Sequence, residues 1–343
     1  MPATAGRRAL RLPRSLPEGG VLGVWTPSAP APALFPRRYN RALDAVRAAG
    51  YEVVTASATE DNAGIAAAHP ARLAEDLHEL LRDDRVDAVV AATGGYTSAT
   101  VLPYLDWDLI RAARRPIVGY SDVTSVLWAA LAQAGLVTFH GPMIVSEWGE
   151  WGGPWPYTLD HFRRALTPQP GPTRLVPPPE WTDESLWWDA EDDRPRATRP
   201  GGWGCLSPGT AEGWLLPGCA ATASHLIGTP FLPDPDGAIL CLEFQDAGPD
   251  AVWAHLTQWQ NAGLLDRIAG LVIGRHARPR AAAAGSDDVD AVVRAVLGRR
   301  RLPVLVDVDF GHTEPRLTLP VGGRALLDAT HCGLTLPHDS TSS

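Results

Sequence analysis

Few cysteines, no long apolar run and no basic cluster mark this chain. Its four cysteines, Cys205, Cys219, Cys241 and Cys332, form no CxxC pair, and Cys241 lies inside an apolar run. That pattern excludes a zinc ribbon or a disulfide framework as the organising device and suits a reducing compartment, the cytoplasm. Nothing approaches the roughly 18 consecutive apolar residues of a membrane span. The stretch MPATAGRRALRLPRSLPEGG carries arginines but no apolar segment, so it does not read as a secretory signal. No long basic run accompanies the net charge of -9, which argues against a nucleic-acid polymer as partner. HExxH and other metal-ligand spacings are missing, so no metal is expected. No internal repeat is evident.

What is present reads as an ordinary globular composition, 45% hydrophobic and 20% charged. At about 150 residues per domain, 343 residues suggest two domains. The runs VLGVWT, YEVVTA, VDAVVAA, RPIVG and LVTFHGP read as strands, with helical patterns between them. In PARLAEDLHELLRDD, Leu73, Leu77, Leu80 and Leu81 fall on one helix face. Such alternation predicts an α/β fold with a mostly parallel, Rossmann-like sheet, and ligands bind at the C-terminal ends of such strands. TGGYTS and GYSD both sit at those ends. Residues 148–214 are rich in Pro and Gly and hold eight of the 13 tryptophans. Strands resume at AILCLE, IAGLVIG and LPVLVDVD, and RLTLPVGGRALLD reads as a hairpin turning at Gly322-Gly323. The expected organisation is a disordered arm over 1–18, a nucleophile domain over 19–165 and connecting loops over 166–210. A smaller C-terminal α/β domain over 211–335 and a loose tail over 336–343 complete it.

Several positions could carry chemistry. Ser121 sits where a strand turns into a helix, much as in the G-x-S-x-G elbow, although Val123 replaces the second glycine. A helix start behind it would aim N–H groups at developing negative charge. The plain alternative is that Ser121 or Asp122 caps the helix. The Gly94-Gly95 turn offers another N–H, or is simply a turn. Glu243 ends a buried strand, where a carboxylate needs a partner or water. His312 in DFGHTEP and His140 in TFHGP are rival bases, and the residues alone do not choose between them.

Six segments together resemble the LD-carboxypeptidase family of serine peptidases: GYSDVTSVLWAALAQAGLVTFHGP, GTAEGWLLPG, GTPFLPD, AILCLE, GLLDRIAGLVIGR and GHTEPRLTLPVG. The family includes murein tetrapeptide carboxypeptidases and microcin C immunity proteins. The resemblance runs from about residue 21 to residue 330 and implies a Ser121–Glu243–His312 triad, with His140 structural. It further implies oxyanion donors from the backbone of Gly94, Gly95 and Asp122, no cofactor, and a homodimer. TGGYTS and WTDESLWWDAEDDRP look closer to the immunity branch, in which a loop tryptophan stacks on a nucleobase; Trp187 or Trp188 would be that residue, unless both merely pack the loops. The implied substrate is a small peptide or peptidyl-nucleotide. The resemblance departs at Pro217-Gly218-Cys219, where the family has a GGN-like loop, and at EFQD, where acidic residues after Glu243 are diluted.

Overall fold

The computed structural model describes residues 9–245, 247–276, 288–337 and 339–342. Strands β1 (Val21–Trp25), β2 (Glu52–Thr55), β3 (Ala88–Ala91), β4 (Ile117–Gly119) and β5 (Thr138–His140) pair in parallel in the order β5-β4-β3-β1-β2. β3 is buried along its whole length, as expected of a parallel strand covered on both faces. The helix Pro70–Arg82 turns Leu73, Leu77, Leu80 and Leu81 inward. Its start is set by Pro70 and by the His69 side chain, which accepts the Ala71 N–H.

The second lobe is an eight-stranded sheet built from β6 (Thr173–Leu175), β9 (Gly204–Ser207), β10 (Thr210–Cys219), β11 (Ala238–Glu243), β12 (Gly270–Gly274), β13 (Val304–Val308), β15 (Arg324–Asp328) and β16 (Gly333–Leu336). Its order is β6-β16-β15-β10-β11-β12-β13-β9, parallel from β10 to β13 and antiparallel at the flanks. A short ribbon, β7 (Glu180–Trp181) with β8 (Arg199–Pro200), lies in the connecting loops. Trp128, on the helix behind the Ser121 turn, donates its indole N–H to the Pro217 carbonyl at 2.8 Å and meets Trp259 edge to face, which joins the lobes through one apolar core.

Two expectations need correction. The Gly322-Gly323 segment does not make a hairpin. Strand β14 (Leu319–Val321) leaves the C-terminal lobe and pairs antiparallel with β5 at the edge of the first sheet, while β15 returns to the second. The local glycine signal marks a change of sheet instead. The ends are also not loose where they are described: Arg11 bridges Leu136, Arg14 bridges Ser342, and Leu16 is buried. Backbone pairing with distant segments holds them, which no local pattern reveals. Residues 1–8, 338 and 343, which belong to the expected arm and tail, lie outside the described residues.

Candidate active site

The C-terminal ends of strands in the two sheets bring three distant side chains together. Ser121 Oγ lies 2.9 Å from His312 Nε2, and His312 Nδ1 lies 2.7 Å from Glu243 Oε2. A carboxylate only accepts, so Nδ1 carries the proton, and Nε2 is left with its lone pair toward the serine hydroxyl. Ser121 has φ 59°, the left-handed region, at a buried turn just after β4. A side chain held there is displayed by the sharp corner and costs backbone strain. Gly119 permits the corner, since a Cβ there would come within 2.8 Å of Val123 Cγ1. The serine does not cap the helix behind it, because its hydroxyl is directed to His312.

Glu243 ends β11 and is fully buried. Burial pushes its carboxyl up, but the charge and hydrogen bond of His312 outweigh this and hold it below the ordinary carboxylate value. His140 is equally buried, and its Nε2 donates to the Phe310 carbonyl at 2.9 Å. Burial lowers its pKa to about 4, so it is neutral at pH 7 and holds the start of the His312 loop through Phe310. The loop is further held by Asp309, which accepts from Trp203 Nε1 at 2.8 Å and from Arg275 at 2.6 Å.

The glycine turn faces the serine. A Cβ on Gly94 would lie 2.9 Å from both Cβ and Oγ of Ser121. Gly95, at φ 150°, packs against Ser28 and Ala29. Asp122 is the second residue of the short helical turn Ser121–Val123, and its N–H is among those without an intrahelical acceptor. Its carboxylate accepts from Ser28 Oγ at 2.7 Å and Ser98 N–H at 2.8 Å, tying the glycine turn to the elbow. Ser28 carries no motif, and Ser98, the last residue of TGGYTS, was not singled out as a site residue.

The two tryptophans separate. Trp187 is 69% exposed. Trp188 is committed to packing: its ring meets Phe35 edge to face at 5.2 Å and lies under the Arg38 guanidinium at 4.7 Å. Their loop is clamped where Asp189 accepts the N–H groups of Arg37 and Arg38, and where Asp192 pairs with Arg38 and Arg41. The sequence also did not reveal a buried cluster beside the site. Arg316 Nη2 lies 2.7 Å from Glu314 and 3.0 Å from Glu147, and Tyr120 donates to Glu147 at 3.0 Å. Glu314 and Arg316 stand within the quoted GHTEPR segment, but Glu147 and Tyr120 meet them only in space.

A strained serine, an imidazole and a buried carboxylate in one hydrogen-bonded line, facing a glycine turn, describe a serine hydrolase. Residues 22–141 match the N-terminal domain of the LD-carboxypeptidase family and residues 212–327 match its C-terminal domain. The chain belongs to that family and is a serine peptidase-class enzyme. It is 26% identical over 331 residues to the microcin C7 self-immunity protein MccF of Escherichia coli, covering 96% of each chain. The structure of MccF with aspartyl sulfamoyl adenosine superposes with a TM-score of 0.92 at 26% identity, over 97% of this chain and 100% of that one. The muramoyltetrapeptide carboxypeptidase of Oxalobacter formigenes gives 0.77 at 27% identity, over 94% and 100%.

Proposed function

We propose that the chain hydrolyses an amide bond in aminoacyl- or peptidyl-nucleotides, an immunity-type detoxification, through a Ser121–Glu243–His312 triad. The observation that carries the triad is the continuous line from Ser121 Oγ through the imidazole to Glu243, at 2.9 and 2.7 Å. In this mechanism His312 Nε2 takes the Ser121 proton as Oγ attacks the carbonyl carbon. The tetrahedral oxyanion is met by N–H groups of the Gly94-Gly95 turn and of Asp122, each such donor being worth roughly 10²–10³ in rate. The imidazolium, stabilised by Glu243, returns its proton to the leaving nitrogen as the C–N bond breaks. Water then attacks the acyl-enzyme by the same route, with His312 as base, and Ser121 regains its proton.

The higher TM-score with MccF than with the muramoyltetrapeptide enzyme, 0.92 against 0.77, supports the nucleotide substrate. Exposed Trp187 is the base-stacking candidate, because Trp188 already spends both its face and its edge on Arg38 and Phe35. A second reading, murein tetrapeptide carboxypeptidase, is supported by the near-complete overlap with that family branch. Incubation with aspartyl sulfamoyl adenosine and, separately, with murein tetrapeptide, followed by mass spectrometry, decides between them. Cleavage of the tetrapeptide alone rejects the first reading, and turnover retained in Ser121→Ala rejects the triad. A homodimer in the cytoplasm belongs to the same proposal, and light scattering on the eluted protein tests the dimer.

A further inference from the structure

Two hydrogen bonds hold the His312 imidazole, one at each ring nitrogen. The ring's remaining freedom is rotation about its Cβ–Cγ bond, which would swing both nitrogens off their partners. A turned ring would point its Nε2 lone pair away from the serine hydroxyl. Packing against the ring's side limits that swing, and the Tyr120 ring supplies it, meeting the imidazole at 5.0 Å with an interplanar angle of 62°. Tyr120 is itself buried and pinned at two places. Its hydroxyl donates to Glu147 Oε1, and the Arg316 guanidinium carbon lies 3.7 Å from its ring centroid.

We propose that Arg316 is a positioning residue for the reaction: held by Glu147 and Glu314, its guanidinium fixes the Tyr120 ring, and that ring fixes the His312 imidazole toward Ser121. The inference rests on the triad reading above. The cluster is built for it, because its members come from three places. Tyr120 immediately precedes the serine. Glu147 follows β5 and is anchored by the Met143 N–H at 2.6 Å. Glu314 and Arg316 belong to the His312 loop, and Glu314 also exchanges both backbone hydrogen bonds with Thr182, at 2.7 and 3.0 Å. A planar cation held by two carboxylates has little freedom to leave the ring. Arg316 stays ionised: burial opposes its charge, but the acidic pair Glu314 and Glu147, of which Glu147 holds its proton to about pH 8, more than offsets this.

The test uses the whole chain and two readouts. The first is the low-field proton resonance of His312 Nδ1–H, assigned by its absence in His312→Gln and read without substrate. The second is kcat and KM with aspartyl sulfamoyl adenosine. In folded Arg316→Met the resonance should shift or broaden. There kcat should fall about tenfold to a hundredfold, with KM within about threefold, since misplacing a reacting group costs the chemical step more than binding. Arg316→Lys should recover part of this, and Tyr120→Phe, which keeps the ring, should lose less than Tyr120→Leu. A folded Arg316→Met with wild-type resonance and kcat overturns the proposal. Should that variant not fold, Tyr120→Leu decides, and an unchanged resonance and kcat there overturns it equally. Turnover retained in Ser121→Ala is a separate result, because it rejects the triad rather than the role of Arg316.

Discussion

Gly94 and Ser121 face each other so closely that a methyl group on the glycine would sit 2.9 Å from the serine's Cβ and Oγ. Gly94→Ala should therefore displace either the hydroxyl or the turn that faces the developing oxyanion. A loss of at least about 10²-fold in kcat is expected, comparable to removing one oxyanion donor. The thermal midpoint should change little, because the glycine borders the site and not the core. Steady-state kinetics beside a melting curve checks both, and a wild-type kcat would remove the turn from the mechanism.

Ser121, His312 and Glu243 should behave as one unit. Ser121→Ala and His312→Ala are each expected to abolish nearly all turnover, and the double variant to be no worse than either alone. Glu243→Gln keeps the shape but loses the charge that selects the imidazole tautomer, so kcat should fall by roughly 10²–10⁴. Additive losses in the double variant would show that the two side chains act independently.

Trp187 and Trp188 should part company. Trp187→Ala is expected to raise KM for aspartyl sulfamoyl adenosine about fivefold or more, the equivalent of the ~1–3 kcal/mol of base stacking, with stability unchanged. Trp188→Ala should instead cost roughly 2 kcal/mol of stability by emptying the space between Phe35 and Arg38. Urea unfolding together with initial rates on both variants separates the roles.

Glu147 makes stability depend on pH. Burial, with Glu314 adding and Arg316 opposing, pushes its carboxyl from 4.5 up to about 8. Its proton is bound in the folded state and already released by the unfolded chain across that window. The stabilisation is therefore full below the ordinary value and lost as pH rises through the folded one. Between about pH 6 and about pH 9 the urea midpoint of the wild type should fall more than that of Glu147→Gln. Equal falls would mean that Glu147 is ionised throughout.

Much of this architecture could be read from local pattern. Leucine spacing marked the helix Pro70–Arg82, and short apolar runs between helical stretches marked the parallel strands. The serine's corner was visible because a strand, a glycine and a helix start follow one another within GYSDV. The choice of His312 over His140 was not legible chemically, since both follow strands in Gly-Pro surroundings. It became so through the resemblance, and the structure gives His140 to the Phe310 carbonyl and His312 to the serine. What stayed hidden depends on pairing across long stretches of chain. The Tyr120–Glu147–Arg316 cluster joins residues up to 196 positions apart by subtraction of their numbers. The passage of β14 into the other sheet left only a glycine pair that any turn would show.

That passage of β14 has a mechanical result. Leu319, Pro320 and Val321 are laced to His140, Phe139 and Thr138, and the Gly322 and Gly323 backbones are bonded to Leu215. The lobes are thus stitched together beside the serine's own sheet, and a clam-shell opening would have to unzip this seam. Cutting the chain in the connecting loops would leave the first sheet without its edge strand β14, so the N-terminal half should not survive as a separate module. Admission of substrate and release of product then fall to the surface loops, while the machinery beneath them stays assembled through every turnover.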